Sequence, residues 1–156
     1  MMPAQSPESA AKAFAADRLQ PPYFPGSGKK SAPLQVLIVD DEALIRWAVA
    51  ETLGAQGYNV TEAGDGSSAL REFSNSLGET DVVLLDVRLP DSDDLRVLSA
   101  MRRLSPSTPV ILMTAYGTPE LMNEALRLGA FSLVNKPFAM SDLAPLIERA
   151  LASNPI

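Results

Sequence analysis

The sequence predicts an α/β fold in which five parallel strands form a doubly wound sheet of order 2-1-3-4-5. Three observations predict it. Five short apolar runs recur after residue 34, and segments with helical spacing separate them. The runs assigned to the middle of the sheet are almost wholly apolar, as strands covered on both faces must be. Right-handed crossovers then favour double winding, with strands 1 and 3 adjacent where the winding reverses.

The first run is LQVLIV, residues 34–39. The segment EALIRWAVAETLGAQ follows it and places Ile45, Ala48, Val49, Thr52 and Leu53 on one helical face. Trp47 lies off that stripe and reads as partly exposed packing. YNVTEA, DVVLLD, PVILMT and FSLVN supply the remaining strands. In the last helix, SDLAPLIERAL, Leu143, Leu146, Ile147, Ala150 and Leu151 form a stripe at helical spacing. Gly57 and Gly129 each follow a helical segment, where a C-terminus favours a left-handed residue. Asp41, Thr118 and Ser141 stand where N-caps belong. Met101, Met113 and Met122 read as core filler rather than a binding box.

The organisation expected is a flexible N-terminal extension over residues 1–33, one domain over 34–152 and a short tail over 153–156. Residues 1–33 hold six prolines and read as a mobile tail, with a short helix at AAKAFAADRL. Their GSGKKS is not a phosphate-binding loop. The position five before Gly28 is Tyr23 rather than glycine, and Lys30 rather than Ser or Thr follows Lys29.

Composition removes several function classes. Zero cysteines exclude disulfides, thiolate chemistry and zinc ribbons; zero histidines exclude Ser-His-Asp catalysis and a phosphohistidine carrier. No apolar run is long enough for a membrane helix, and no secretory block opens the chain, which gives a cytoplasmic reading with no membrane partner. Residues 34–156 carry a net charge of −8 and contain nine basic residues, of which Lys136 is the sole lysine. Such an acidic body argues against direct nucleic-acid binding and suits divalent cations.

Ligands of doubly wound sheets bind outside the carboxyl ends of the strands, at the winding reversal. Those ends carry Asp40-Asp41 after strand 1, Asp86 at strand 3, Thr114-Ala115 at strand 4 and Lys136-Pro137 after strand 5. Each has a plain reading alone: Asp41 as a helix cap, Thr114 as an ordinary strand end, Lys136 as a solvated charge. Their joint placement on one edge favours a site. Converging carboxylates repel unless a cation is bound or protons are taken up. With oxygen ligands alone the natural cation is Mg²⁺. One acid can then attack a phosphoryl group to give an acyl phosphate, and Asp86, ending a central strand, is best placed. Lys136 would neutralise the transferring oxygens and Thr114 would donate a hydrogen bond.

The motifs VLIVDDE, VVLLDVRLPD, VILMTAYG and VNKPF, in that order, resemble the receiver domains of bacterial two-component response regulators. IRWAV and TAYGT look most like nitrogen-regulation-type receivers. The resemblance spans roughly Leu34 to Leu151 and implies a flavodoxin-like (βα)5 fold of the CheY-like kind. It implies that Asp86 accepts a phosphoryl group from a sensor histidine kinase or phosphotransfer protein. Asp40, Asp41, Asp86 and the backbone carbonyl of Arg88 would hold Mg²⁺, Asp41 more directly than Asp40. Lys136 would contact the phosphoryl oxygens, and the Lys136–Pro137 bond would be cis. The resemblance also implies a switch, in which Thr114 turns toward the phosphate and the surface of helix 4, strand 5 and helix 5 repacks to regulate a partner or support a phosphorylation-dependent homodimer. Here Leu133 stands where a mobile Tyr or Phe is usual, and Phe131, two residues earlier, is expected on the same strand face. Arg88 and Tyr116 are expected to flank the water that hydrolyses the acyl phosphate.

Other readings stay open. An aspartyl-nucleophile phosphotransferase or phosphatase wants a second Asp two residues after the first, where this chain has Arg88. A receiver-like interaction module that has lost phosphorylation would not need the intact acid–Thr–Lys set. The chain is expected to catalyse only its own phosphorylation and dephosphorylation. Because it ends at SNPI after the last helix, the expected readout is a downstream protein or an output domain missing from the sequence. Of the other aspartates in DVVLLDVRLPDSDD, Asp81 marks the start of strand 3, Asp91 and Asp93 read as solvated, and Asp94 is expected to tolerate left-handed geometry and to cap helix 3.

Overall fold

The apolar runs form strands β1 (Gln35–Val39), β2 (Asn59–Ala63), β3 (Val82–Asp86), β4 (Val110–Thr114) and β5 (Ser132–Asn135). Helices α1 (Ala43–Ala55), α2 (Gly66–Asn75), α3 (Arg96–Leu104), α4 (Pro119–Arg127) and α5 (Leu143–Ala152) follow them in turn. A 3-10 turn, Met140–Asp142, leads into α5. The structure is a computed structural model and describes residues 32–153. The expected short helix and nearly all of both expected tails therefore lie outside the described residues.

All strand pairs are parallel and the order is β2-β1-β3-β4-β5. Alternation along the three central strands divides the core into two layers. Leu37, Val39, Val83, Leu85, Val110 and Leu112 pack with Phe73 of α2, Leu98 and Met101 of α3, and Ala125 of α4. Val36, Ile38, Val82, Leu84, Ile111 and Met113 pack with Val49 and Leu53 of α1 and with Leu143, Leu146 and Ile147 of α5. Full burial of one such side chain contributes about 1.5–3 kcal/mol, so the three central strands anchor everything their ends carry. β2, at an edge, is mostly exposed.

The helix ends follow local chemistry, with some departures from expectation. Thr118 caps α4, its hydroxyl accepting from the Leu121 N–H at 3.1 Å, and Pro119 enters the first turn. Gly57 and Gly129 adopt φ of +96° and +101°. Asp41 does not cap α1. The cap position is Glu42, and it is Asp40 whose carboxylate accepts the Glu42 N–H at 2.9 Å, because the buried Asp40 side chain turns back under the loop. Nor does Ser141 cap α5; it sits inside the 3-10 turn, from which the helix continues with Asp142 at the cap position and no side-chain cap bond.

The cap position of α3 is Leu95, so Asp94 stands one residue outside it, where its carboxylate accepts from the Arg96 N–H at 3.0 Å. It does so without a left-handed backbone, since no described non-glycine residue has positive φ. Asp91 is not merely solvated. Its carboxylate oxygens accept from the backbone N–H groups of Gly66 and Ser67, at 2.8 and 3.0 Å, at the N-terminus of α2.

Candidate functional site

Each central strand ends by handing a polar side chain to the same edge. Register places Val39 beside Leu85 and Asp86 beside Met113, so the ends of β1, β3 and β4 are level. Asp40, Asp86 and Thr114 are buried there, with 0%, 5% and 3% of their surface exposed. The neighbouring loops are pinned by backbone bonds from Asp40 N–H to the Ala63 carbonyl, 3.1 Å, and from Val87 N–H to the Met113 carbonyl, 2.9 Å. Lys136 N–H donates to the Thr114 carbonyl at 2.7 Å, which aims the chain beyond β5 across the site. The Lys136–Pro137 peptide is cis.

The Lys136 ammonium joins these ends. Nζ lies 2.8 Å from Asp40 Oδ2, 2.9 Å from Asp86 Oδ2 and 3.0 Å from Glu42 Oε1. Its side chain is 10% exposed, so the pairs with Asp40 and Asp86 are largely desolvated, while the Glu42 partner stays open to solvent. Asp86 Oδ1 accepts the Arg88 N–H at 3.1 Å. Asp40, Asp41, Glu42 and Asp86 each bring one carboxylate oxygen within 4.8 Å of the others. One ammonium therefore opposes four carboxylates.

Burial pushes the Asp86 carboxyl up to about 6; the bonds from Lys136 and Arg88 N–H pull it back, and the Asp40 charge adds to the rise. Burial also works against the Lys136 ammonium, but its bonds to Asp40, Asp86 and Glu42 hold it protonated, above the ordinary lysine range. The Asp86 shift fixes a sign. A carboxyl raised from 3.8 to about 6 on folding contributes stability that is present below pH 4 and lost as pH rises through 6. Without divalent cation, Asp86→Asn should therefore gain on wild type between pH 4 and 6 by about 1–2 kcal/mol, allowing for residual screening. Urea unfolding of both proteins across that range checks it; a difference that stays flat removes the assigned cause.

The other expected residues are placed as follows. Thr114 Oγ1 accepts the Tyr116 N–H at 3.0 Å, so the hydroxyl is engaged with its own loop. The Arg88 guanidinium stacks over the Tyr116 ring, 5.0 Å from its centroid, which brings the two residues together beside the site. Leu133 is buried in the layer of α2, α3 and α4, whereas Phe131 packs against the layer of α1 and α5. The two do not share a face. Phe131 lies just before β5 begins, so strand alternation does not extend to it.

Sequence reasoning missed three contributors. Glu42 joins the lysine and the acid cluster, and its adjacency to Asp40-Asp41 was the available signal. Arg46 donates to the Asp40 carbonyl at 2.6 Å and pairs with Glu62 at 3.1 Å, clamping the β1–α1 loop; nothing in its local sequence announces this. Asp91 is the third.

Known proteins resemble this chain in sequence and in fold. The response regulator receiver domain family matches residues 36–148. The chain belongs to that family. Its relatives include the regulatory protein AtoC of Escherichia coli K12, 43% identical over 117 residues, 75% of this chain and 25% of AtoC. The transcriptional regulatory protein PdtaR of Mycobacterium tuberculosis is 39% identical over 78% of this chain and 58% of PdtaR. This receiver thus spans between about a quarter and three-fifths of these relatives. The solved receiver domain of NtrX from Brucella abortus aligns with TM-score 0.68 and 35% identity, over 74% of this chain and 97% of that one. A CheX–CheY–BeF3–Mg complex from Borrelia burgdorferi aligns with TM-score 0.70 and 27% identity, over 78% of this chain and 89% of that one. The CheY-like, flavodoxin-type architecture is therefore shared, and the receiver is a phosphorylation signalling switch of the two-component class. Among the described residues, no helix is long and apolar enough to cross a membrane.

Proposed function

We propose that Asp86 is the phosphoacceptor of this receiver, taking a phosphoryl group from a sensor histidine kinase or phosphotransfer protein. The observation that carries this is the buried Asp86 carboxylate held 2.9 Å from Lys136, whose ammonium also holds Asp40 at 2.8 Å. An Asp86 oxygen attacks phosphorus, the donor's bond to phosphorus breaks, and an acyl phosphate remains on Asp86. Lys136 follows the new charge onto a phosphoryl oxygen. Thr114 leaves the Tyr116 N–H and donates its hydroxyl proton to another, which is the local event that biases the switch.

The donor set fits Mg²⁺: four carboxylates converge, all ligands are oxygens, and one ammonium leaves them under-neutralised. Asp40, Asp41, Asp86 and the Arg88 carbonyl would hold the ion, which supplies charge neutralisation at the phosphoryl oxygens. Asp41, exposed and tied to no cap, is free to ligate directly. The Borrelia relative was solved as a complex with BeF3 and Mg, which supports the same pairing here.

With Leu133 at the usual aromatic position and Phe131 on the other face, Thr114 would reach the α4-β5-α5 surface through aliphatic packing. That surface is where a downstream protein, an output domain or a second copy would respond. We read the receiver as cytoplasmic, acting on itself and not on free substrates. Acetyl phosphate with Mg²⁺ should add one phosphoryl group per chain; sustained hydrolysis of phosphate esters would instead favour an aspartyl phosphatase. The Arg88–Tyr116 stack would shield the acyl phosphate from water. The double replacement Arg88→Ser with Tyr116→Ser should speed phosphoryl loss about 3- to 10-fold, read by the decay of phosphoprotein after donor removal. An unchanged decay rate removes the shielding role.

A further inference from the structure

Asp91 sits at the tip of a tight turn just beyond the phosphoacceptor. Leu89 N–H donates to the Ser92 carbonyl at 2.7 Å and Ser92 N–H returns to the Leu89 carbonyl at 3.2 Å, closing the turn around Pro90 and Asp91. The Asp91 carboxylate crosses to α2 and takes two backbone N–H groups, of Gly66 and Ser67. These bonds hold its carboxyl below the usual carboxylate range. The next N–H, of Ser68, is already taken at 2.6 Å by Asp65, the local cap of α2. The helix therefore has its own cap, and the second carboxylate arrives from 25 residues away. The approach is close. A Cβ on Gly66 would lie 2.9 Å from Val97 Cγ2 and 3.2 Å from Asp91 Oδ1, so glycine lets α2 meet this loop and the start of α3.

We infer that Asp91 is a positioning residue for the cation site, fixing the loop that carries the Arg88 carbonyl against the first turn of α2. The inference rests on the assignment of Asp86 and Arg88 as ligands. Asp91 lies three positions beyond Arg88, and the Leu89–Ser92 turn makes the segment a stiff link. Arg88 is held on its other side by its N–H to Asp86 Oδ1, so its carbonyl is set between two anchored points. Removing the Asp91 anchor frees that segment and leaves every acidic ligand in place. Coupling is reciprocal: if the latch favours the ion, the ion must tighten the latch.

Titration calorimetry with MgCl2 on the full chain, under conditions where each variant is folded, tests this. Asp91→Ala should weaken Mg²⁺ binding about 10-fold, the low end of what loss of outer-shell support commonly costs. Asp93→Ala, which removes the same charge from the same loop, should change it less than about twofold, a bound set by exposed charge alone. Asp91→Asn retains one acceptor, should fall between, and serves if the alanine variant folds poorly. Hydrogen exchange of wild type should show Gly66 and Ser67 amides more protected with MgCl2 than without. Lowered stability with unchanged Mg²⁺ affinity would make Asp91 a helix cap only and overturn the inference, as would equal effects of the Asp91 and Asp93 replacements. Failure of wild type to bind Mg²⁺ at all would instead overturn the ligand assignment beneath it.

Discussion

Lys136→Ala should destabilise the metal-free protein by about 3–5 kcal/mol at pH 8, the usual cost of stripping a buried charge of its partner. Asp40 is fully buried and Asp86 nearly so, and both lose the same ammonium. The loss should shrink as pH falls below 6. Asp86 already titrates near 6 with the lysine in place, and without it protonation comes more readily and relieves the repulsion. MgCl2 should rescue the variant more than it stabilises wild type, because a bound cation replaces the missing charge. Urea midpoints with and without MgCl2 at pH 5.5 and 8 decide it. Equal, pH-independent losses of under about 1 kcal/mol would mean the ammonium is a solvated charge after all.

Chelation of divalent cations should reduce phosphoryl uptake from acetyl phosphate at least about 100-fold, the scale on which removed electrostatic stabilisation acts in such transfers. The chain alone faces an anionic donor with four carboxylates and one ammonium. Repulsion from the buried pair Asp40 and Asp86 is poorly screened by salt. Raising ionic strength should therefore fail to substitute for the cation. Uptake that continues unchanged in chelator would show that Lys136 and backbone N–H groups suffice.

Much of this was legible in the sequence, for a physical reason. Apolar runs mark where strands end, and in a parallel sheet those ends share one edge, so sequence alone groups Asp40, Asp86, Thr114 and Lys136. The helical stripes of α1 and α5 were equally plain, since Val49, Leu53, Leu143, Leu146 and Ile147 follow the helical period into the core. What escaped depends on through-space partners that no local pattern announces. Asp91 looked solvated because its partners, Gly66 and Ser67, are brought near by folding alone. Arg46 was hidden in the same way, since the Asp40 carbonyl and Glu62 meet it only in the fold, whereas Glu42 stood beside Asp40-Asp41 in plain sequence. Phe131 was assigned to the face of Leu133 by an alternation that holds inside β5 and fails one residue before it. The Asp41 and Ser141 caps failed because the backbone chose a neighbouring residue to begin each helix, a one-residue choice that composition does not determine.

The central claim is that Asp86 carries the phosphoryl group. Wild type and Asp86→Asn, each incubated with acetyl phosphate and MgCl2, should be compared by intact mass. Folding should be checked in parallel, since the amide keeps an acceptor for Lys136 and is expected to preserve the site. Wild type is predicted to gain one phosphoryl group and the variant none. Equal incorporation into both proteins would contradict the assignment and return the acid cluster to an unassigned role.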